Sequence, residues 1–103
     1  MQTDDNPQGI LKKSEEQLIV LSFTTPWSGS GNMLADTLAR LQEEKSTLQV
    51  FICDLDTCPK LVKQFGITEI PTTILLHKRE VVDLFTGPVS RKKILTRVAP
   101  FLS

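Results

Sequence analysis

Two serines in a glycine-rich run and the two cysteines of this chain are the candidate nucleophiles considered first. The serines lie in the run Trp27-Ser28-Gly29-Ser30-Gly31-Asn32-Met33. A serine hydroxyl attacks a substrate only when a paired base activates it, and the one histidine, His77, is predicted to be remote from Ser28. Ser28 or Ser30 is therefore interpreted as the N-cap of a helix, because a serine oxygen readily accepts a hydrogen bond from a free helical amide.

The cysteines, Cys53 and Cys58, are five positions apart. Their side chains are expected to diverge around a strand end, too far apart for an unstrained disulfide, so both should be reduced. Cys53 ends an apolar strand and is interpreted as an inert core residue. Cys58 lies near a predicted helix start, where a thiolate is favoured, so an alkylating reagent should reach Cys58 first. A monothiol redox role for Cys58 stays open as an alternative.

The acidic residues near these cysteines could ligate a cation but have a simpler interpretation. Asp54 and Asp56 follow a predicted strand and precede a predicted helix, so a strand end and a helix cap account for them. His77 lies by a predicted hairpin turn, with no second histidine for a metal site. We expect no metal and no cofactor.

Apolar periodicity and capping residues predict the elements of the first half of the chain. Asn6 and Pro7 start a short helix that runs to about Glu15. The nearly continuous apolar run 18–23 is typical of a strand buried on both faces. Residues 1–8 show no strand pattern. One helical spacing marks the buried face of a longer helix: Met33, Leu34, Leu38 and Leu41.

The second half continues with two more helices and three more strands. They are a strand over residues 48–53, a helix capped by Asp56 or Thr57 and ended by Gly66, a hairpin of residues 72–76 and 80–85, and a helix capped by Ser90. A βαβ unit followed by a β-hairpin and a C-terminal helix predicts an α/β fold. Its mixed four-stranded sheet would carry helices on both faces.

Composition excludes several classes of function. The 103 residues suit one domain, residues 1–103. Lysine plus arginine equals aspartate plus glutamate at 12 each, so no net field favours nucleic acid or an anionic membrane surface. No apolar run is long enough to span a membrane, and the first residues are polar and acidic, unlike a signal peptide. We therefore expect a cytoplasmic protein.

Four segments in the correct order resemble the thioredoxin family over about residues 17–102. The run from Trp27 is similar to the signature W-C-G-P-C-K-M, with Phe23 at the usual distance before it. Residues 65–72, Phe-Gly-Ile-Thr-Glu-Ile-Pro-Thr, resemble the segment Y-G-I-x-x-I-P-T, and Gly87 matches the glycine after the last strand. Together these matches are more specific than any one of them, and they imply a thioredoxin-like fold.

The same resemblance implies that the dithiol chemistry is absent. Ser28 lies at the position of the attacking cysteine and Gly31 at that of the resolving cysteine, while Ser30 replaces the proline and Asn32 the lysine. A serine hydroxyl forms no mixed disulfide. Ser22 matches the family's buried acid. Dithiol-disulfide oxidoreductase activity is therefore not expected.

What the resemblance leaves is a binding groove. The family's proline at the position of Pro71 follows a cis peptide bond and exposes the backbone of the preceding residue to an extended peptide. Trp27, Gly29, Ile70, Pro71 and Gly87 would then line a shallow groove for a segment of another protein, with Pro88 as an additional candidate. This predicts a redox-inactive adaptor or chaperone-like module. An alternative is a glutathione-binding or glutathione-transferase-like protein that uses Ser28, although the additional helical domain of those transferases is missing.

Overall fold

The predicted order of helices and strands is the order found in the structure. The computed structural model describes residues 5–102, and within them lie four α-helices, a short 3₁₀ helix and a four-stranded sheet. The elements are α1 (Pro7–Lys13), β1 (Leu18–Thr24), α2 (Gly29–Glu44), β2 (Leu48–Asp54), α3 (Pro59–Phe65), β3 (Thr72–His77), β4 (Glu80–Thr86), α4 (Arg91–Val98) and the 3₁₀ helix Ala99–Phe101. Of the segment 1–8, in which no strand was predicted, residues 1–4 lie outside the described part.

The sheet has the strand order β2-β1-β3-β4. β1 and β2 are parallel and are joined through α2, whereas β3 pairs antiparallel with β1 and forms a hairpin with β4. All seven residues of β1 are buried, as the continuous apolar run predicted. The strand that leads into the serine-containing loop is thus one of the two interior strands of the sheet.

Alternate residues of β1 point into two separate apolar cores. Leu18 and Val20 belong to a first core, which is completed by α2 and α4 through Leu34, Leu38, Leu41, Ile94 and Val98. Ile19, Leu21 and Phe23 belong to a second core, to which α1 contributes Ile10 and α3 contributes Leu61. Helices therefore cover both faces of a mixed sheet, and the predicted α/β fold class is confirmed.

The buried face of α2 differs from the prediction at one residue. Gly31, Leu34, Leu38 and Leu41 are the buried residues of this helix, whereas the side chain of Met33 is 74% exposed. Residues 31, 34, 38 and 41 form one stripe at helical spacing, and Met33 lies about 100° around the helix from its neighbour Leu34. The assignment of Met33 to the core was wrong, and its apolar side chain faces solvent near the loops described below.

The cap of α3 is also different from the prediction. Asp5 supplies it, since its two carboxylate oxygens accept hydrogen bonds from the amides of Lys60 and Leu61, at 2.9 and 2.8 Å. Asp56 and Thr57, the predicted caps, lie in the preceding turn. The acceptor comes from 55 and 56 residues away in sequence, so no local signal reveals it. The end of α3 is as predicted, with Gly66 in the left-handed conformation at a φ of 63°.

Replacing Asp5 tests this long-range cap. Asp5→Ala is expected to lower the free energy of unfolding by about 1–2 kcal/mol, because it removes the acceptor of two otherwise free helical amides. Asp56→Ala is the matched control and should change the free energy by less than about 0.5 kcal/mol. Urea unfolding followed by circular dichroism measures both. Equal losses in the two variants would contradict the assignment of the cap to Asp5.

Candidate functional site

Strand register brings three loops to one edge of the sheet. Phe23, next to the last residue of β1, lies opposite Thr72, the first residue of β3, and Thr72 lies opposite Thr86, the last residue of β4. The loop after β1, the loop before β3 and the loop after β4 therefore meet at what we call the loop edge. Every candidate residue of the predicted groove belongs to one of these loops or to the start of α2.

Ser28 is the N-cap of α2, as the sequence predicted. Its hydroxyl oxygen accepts a hydrogen bond from the amide of Gly31 at 3.0 Å, and the hydroxyl oxygen of Ser30 lies 3.4 Å away. The side-chain amide of Asn32 donates to the carbonyl of Pro26 at 3.3 Å and so closes the loop. The Ser28 hydroxyl thus caps the N-terminus of α2, which is the structural role predicted for it.

Gly31 lies in close contact with β1. A Cβ atom added at Gly31 would be 1.9 Å from the hydroxyl oxygen of Thr24, and 3.0 Å from both the Cβ of Thr24 and the hydroxyl oxygen of Ser28. Gly29, two residues earlier at the start of α2, has no atom within 4 Å of such a position. The structure therefore requires glycine at position 31, where the resemblance places the resolving cysteine, and not at position 29.

Ser22 lies below this loop, at the position of the buried acid implied by the resemblance. It is fully buried, and its partner across β1 and β3 is Thr73, also fully buried. Within the described residues, neither hydroxyl has a hydrogen-bond partner. Two neutral hydroxyls at this point provide no ionisable group beneath α2.

The loop before β3 presents unpaired backbone at the loop edge. The Ile70–Pro71 peptide bond is cis, and the amide of Gly87 donates to the carbonyl of Pro71 at 2.8 Å. Gly87 has a φ of 78°, which a residue with a Cβ rarely adopts. Within the described residues, neither the amide nor the carbonyl of Ile70 makes a backbone hydrogen bond. Ile70 is half-buried, so these groups lie next to a partly exposed apolar side chain.

The loop edge also carries the most exposed large apolar side chains among the described residues. Trp27 is 83% exposed and Met33 is 74% exposed. Beside them, a groove of about 330 Å³ separates the start of α2 from the loop after β4; its lining includes Ser30, Met33, Leu34, Pro88 and Val89. Trp27, Gly29, Ile70, Pro71 and Gly87 do not line this groove. Met33 and Val89 were missed as groove residues, and the offset of Met33 from the apolar stripe was the available signal.

The polar residues considered for metal binding have other contacts. A carboxylate oxygen of Asp54 accepts a hydrogen bond from the amide of Asp56 at 2.9 Å, which stabilises the turn after β2. His77 is at the far end of β3 from the loop edge, where its ring packs against Phe101 with a centroid distance of 5.4 Å. Over residues 5–102, no group of three histidine, cysteine or acidic side chains is arranged to hold a metal ion.

The two cysteines share one apolar core, whereas the sequence predicted that their side chains diverge around a strand end. Cys53 and Cys58 belong to the same second core, are both free thiols and are 0% and 2% exposed. Burial raises the pKa of the Cys53 thiol, and the neighbouring Cys58 raises it further through charge repulsion and a hydrogen bond. Cys58, which the sequence placed closer to solvent, is thus as well protected from solvent as a core residue.

A βαβ unit, a hairpin and a cis-proline loop opposite a helix N-terminus together define a thioredoxin-like α/β protein. The thioredoxin family model matches residues 1–100, and the chain belongs to this family. It is 31% identical to a thioredoxin of Listeria monocytogenes over 77 residues, which cover 74% of this chain and 75% of that protein. It is 28% identical to a thioredoxin of Bacillus subtilis over 81 residues, 78% of each chain.

A solved structure supports the same fold. The crystal structure of thioredoxin from Fasciola hepatica matches with a TM-score of 0.82 at 20% sequence identity. The match covers 91% of this chain and 89% of that one. In the part of the chain that the structure describes, no helix is both long and apolar enough to cross a membrane.

Proposed function

We propose that this protein binds extended segments of other proteins at the loop edge and takes no part in dithiol-disulfide exchange. The observation that carries the proposal is the free backbone of Ile70, which lies at the same edge of the sheet as the exposed ring of Trp27. A module of this kind works as an adaptor or has a chaperone-like role. A cytoplasmic location fits the two reduced cysteines, since disulfides are rare in that compartment.

The backbone of Ile70 supplies the directional part of the binding. Its amide and carbonyl make no backbone hydrogen bond among the described residues, and β3 begins only two residues later at Thr72. An extended peptide pairs with such groups through its own backbone, whatever its side chains are. Recognition by backbone pairing alone therefore gives affinity for a strand-like segment with little sequence selectivity.

The apolar side chains supply affinity and selectivity. Trp27 and Met33 flank the loop edge, and the adjoining groove has an apolar lining in Leu34 and Val89. Burial of an exposed aromatic side chain by a partner lowers the free energy of the complex. Tryptophan is also enriched among the residues that dominate binding energy. We expect preferred segments to place one apolar side chain against Trp27 and another in the groove.

The absence of exchange chemistry follows from the residues at the start of α2. Ser28 cannot form a mixed disulfide, and Gly31 has no side chain with which to resolve one. We expect no turnover of insulin above a blank without protein when the purified chain is incubated with a thioredoxin reductase and its electron donor. A dithiol thioredoxin run in parallel confirms that the assay works. Turnover that grows with the concentration of this chain would contradict the proposal.

Binding is measured through Trp27 itself, which is the one tryptophan of the chain. An indole that a partner covers shifts its fluorescence emission to shorter wavelength, so a titration reports occupancy of the loop edge without a label. Extended peptides with two apolar side chains should produce the shift, and peptides of the same composition constrained as helices should not. The same titration with glutathione alone tests the alternative site at Ser28.

A further inference from the structure

The two cysteines form a second site whose chemistry is independent of the loop edge. Cys53 is the last residue but one of β2, and Cys58 directly precedes α3. Both side chains enter the second core, where Leu61 of α3 is also buried. No other sulfur nucleophile exists in the chain, since it has two cysteines in total.

The turn between the cysteines reverses the chain between β2 and α3. The amides of Thr57 and Cys58 both donate to the carbonyl of Asp54, each at 3.0 Å, and the amide of Leu55 donates to the carbonyl of Thr24 at 3.0 Å. These bonds hold the start of α3 against the end of β2. Both cysteine side chains are therefore buried in one apolar core, on the two sides of this short turn. The nearby Cys58 also raises the pKa of the Cys53 thiol.

We propose that Cys53 and Cys58 are a redox-active pair that an oxidant converts into an internal disulfide between the end of β2 and the start of α3. The reaction removes two electrons and two protons from the thiols. Hydrogen peroxide accepts them and becomes two molecules of water, or a low-molecular-weight disulfide such as oxidised glutathione accepts them and becomes two thiols. The site therefore senses oxidants although the usual dithiol loop is absent.

Cys58 reacts first. Burial and the neighbouring Cys58 keep Cys53 protonated, so Cys53 is a poor attacking group in the reduced protein. The Cys58 sulfur attacks peroxide and forms a sulfenic acid, and the thiol proton leaves with the displaced hydroxide as water. The Cys53 sulfur then attacks the Cys58 sulfur, and the hydroxyl group leaves with a proton as water.

Mass spectrometry of the full-length folded chain tests the proposal. Reduced protein is freed of reductant, exposed to diamide or peroxide, quenched with acid and alkylated after unfolding. One tryptic peptide contains both cysteines, because the basic residues that bracket them are Lys45 and Lys60. We expect a monomer in which this peptide carries no alkyl group and is lighter by two hydrogen atoms. A reductant should restore both alkylation sites.

Two variants and a rate comparison test whether the disulfide forms only in molecules whose core has opened. Cys53→Ala should leave a Cys58 sulfenic acid that dimedone traps, whereas Cys58→Ala should leave Cys53 unreactive toward peroxide. Alkylation of Cys53 in the folded Cys58→Ala variant measures how often the core opens. Disulfide formation in the parent should be at least about tenfold faster than this opening.

Two results would overturn the proposal. One is that the folded chain keeps both thiols after an exposure that oxidises them fully in urea. The other is that the disulfide forms no faster than Cys53 is alkylated in Cys58→Ala, which would mean that oxidation occurs only in opened molecules. Because neither readout involves Trp27, the outcome is independent of peptide binding at the loop edge.

Discussion

Gly31→Ala is expected to lower the free energy of unfolding by about 2 kcal/mol and the midpoint of thermal unfolding by about 10 °C. The new methyl group would lie 1.9 Å from the hydroxyl oxygen of Thr24, far inside van der Waals contact. Either the threonine leaves its rotamer or the start of α2 moves away from β1. The cost of about 3 kcal/mol is offset by up to about 1 kcal/mol from the better helix propensity of alanine.

Two variants show whether the contact with Thr24 is the cause. Gly29→Ala adds the same methyl group in open space at the first residue of α2, so its free energy of unfolding should be unchanged or slightly higher. Thr24→Ala removes the nearest atom, and a double-mutant cycle with Gly31→Ala should recover about half of the loss. The Cβ of residue 24 and the hydroxyl of Ser28, both at 3.0 Å, account for the remainder.

Urea unfolding of the parent, the three single variants and the double variant gives the required free energies. If Gly31→Ala is as stable as the parent, α2 is free to shift and the close contact has no energetic weight. If Gly29→Ala is destabilised as much, the effect belongs to loop flexibility in general. The expected pattern also means that cysteine at position 31 would not restore a dithiol loop unless Thr24 is replaced as well.

Trp27→Ala should weaken the binding of an extended peptide by about 2 kcal/mol, or roughly 30-fold in the dissociation constant. The side chain is 83% exposed in the free protein, so its removal costs little packing and the variant should unfold at the parent's urea concentration. Calorimetric titration measures the affinity, because this variant has lost the fluorescent reporter. The effect then reports on contacts with the peptide and not on the fold.

Two controls distinguish binding at the loop edge from nonspecific hydrophobic binding and from electrostatic attraction. Leu84→Ala removes another exposed apolar side chain, 47% exposed on β4, and should leave the affinity within about twofold. Neutralising Lys92 and Lys93 on α4 should affect mainly the salt dependence of the association rate. If Trp27→Ala binds like the parent while the α4 variant fails, the protein is an electrostatic docking module and the loop edge is not its binding surface.

Local signals predicted the elements of the fold well. The apolar run 18–23 predicted an interior strand of the sheet. Ser28 and Gly66 were correctly assigned as helix caps, because capping depends on residues a few positions apart. Asp5 could not be predicted as the cap of α3, because the contact joins residues 55 and 56 positions apart and depends on how α1 packs against α3. Periodicity assigned Met33 to the buried face of α2, whereas its side chain is exposed.

The candidate site was predictable in outline and not in its contacts. The resemblance placed Trp27 and Pro71 in loops that strand register does bring to one edge. It could not show that Thr24 occupies the space beside Gly31, since that distance depends on how closely α2 approaches β1. It also could not show that Cys53 and Cys58 share a core, because the direction of the second thiol depends on a turn closed by backbone hydrogen bonds.

The close approach of Thr24 and Gly31 makes the effect of a substitution at one position depend on the residue at the other. A chain that already has glycine at position 31 accepts this threonine, whereas a chain with any Cβ at position 31 meets it at 1.9 Å. Thr24 in its present rotamer is therefore compatible only with glycine at position 31. With Thr24 present, a variant that gains a side chain at position 31 alone is destabilised. Substitutions at positions 24 and 31 are thus epistatic, since the cost of a side chain at position 31 depends on the residue at position 24.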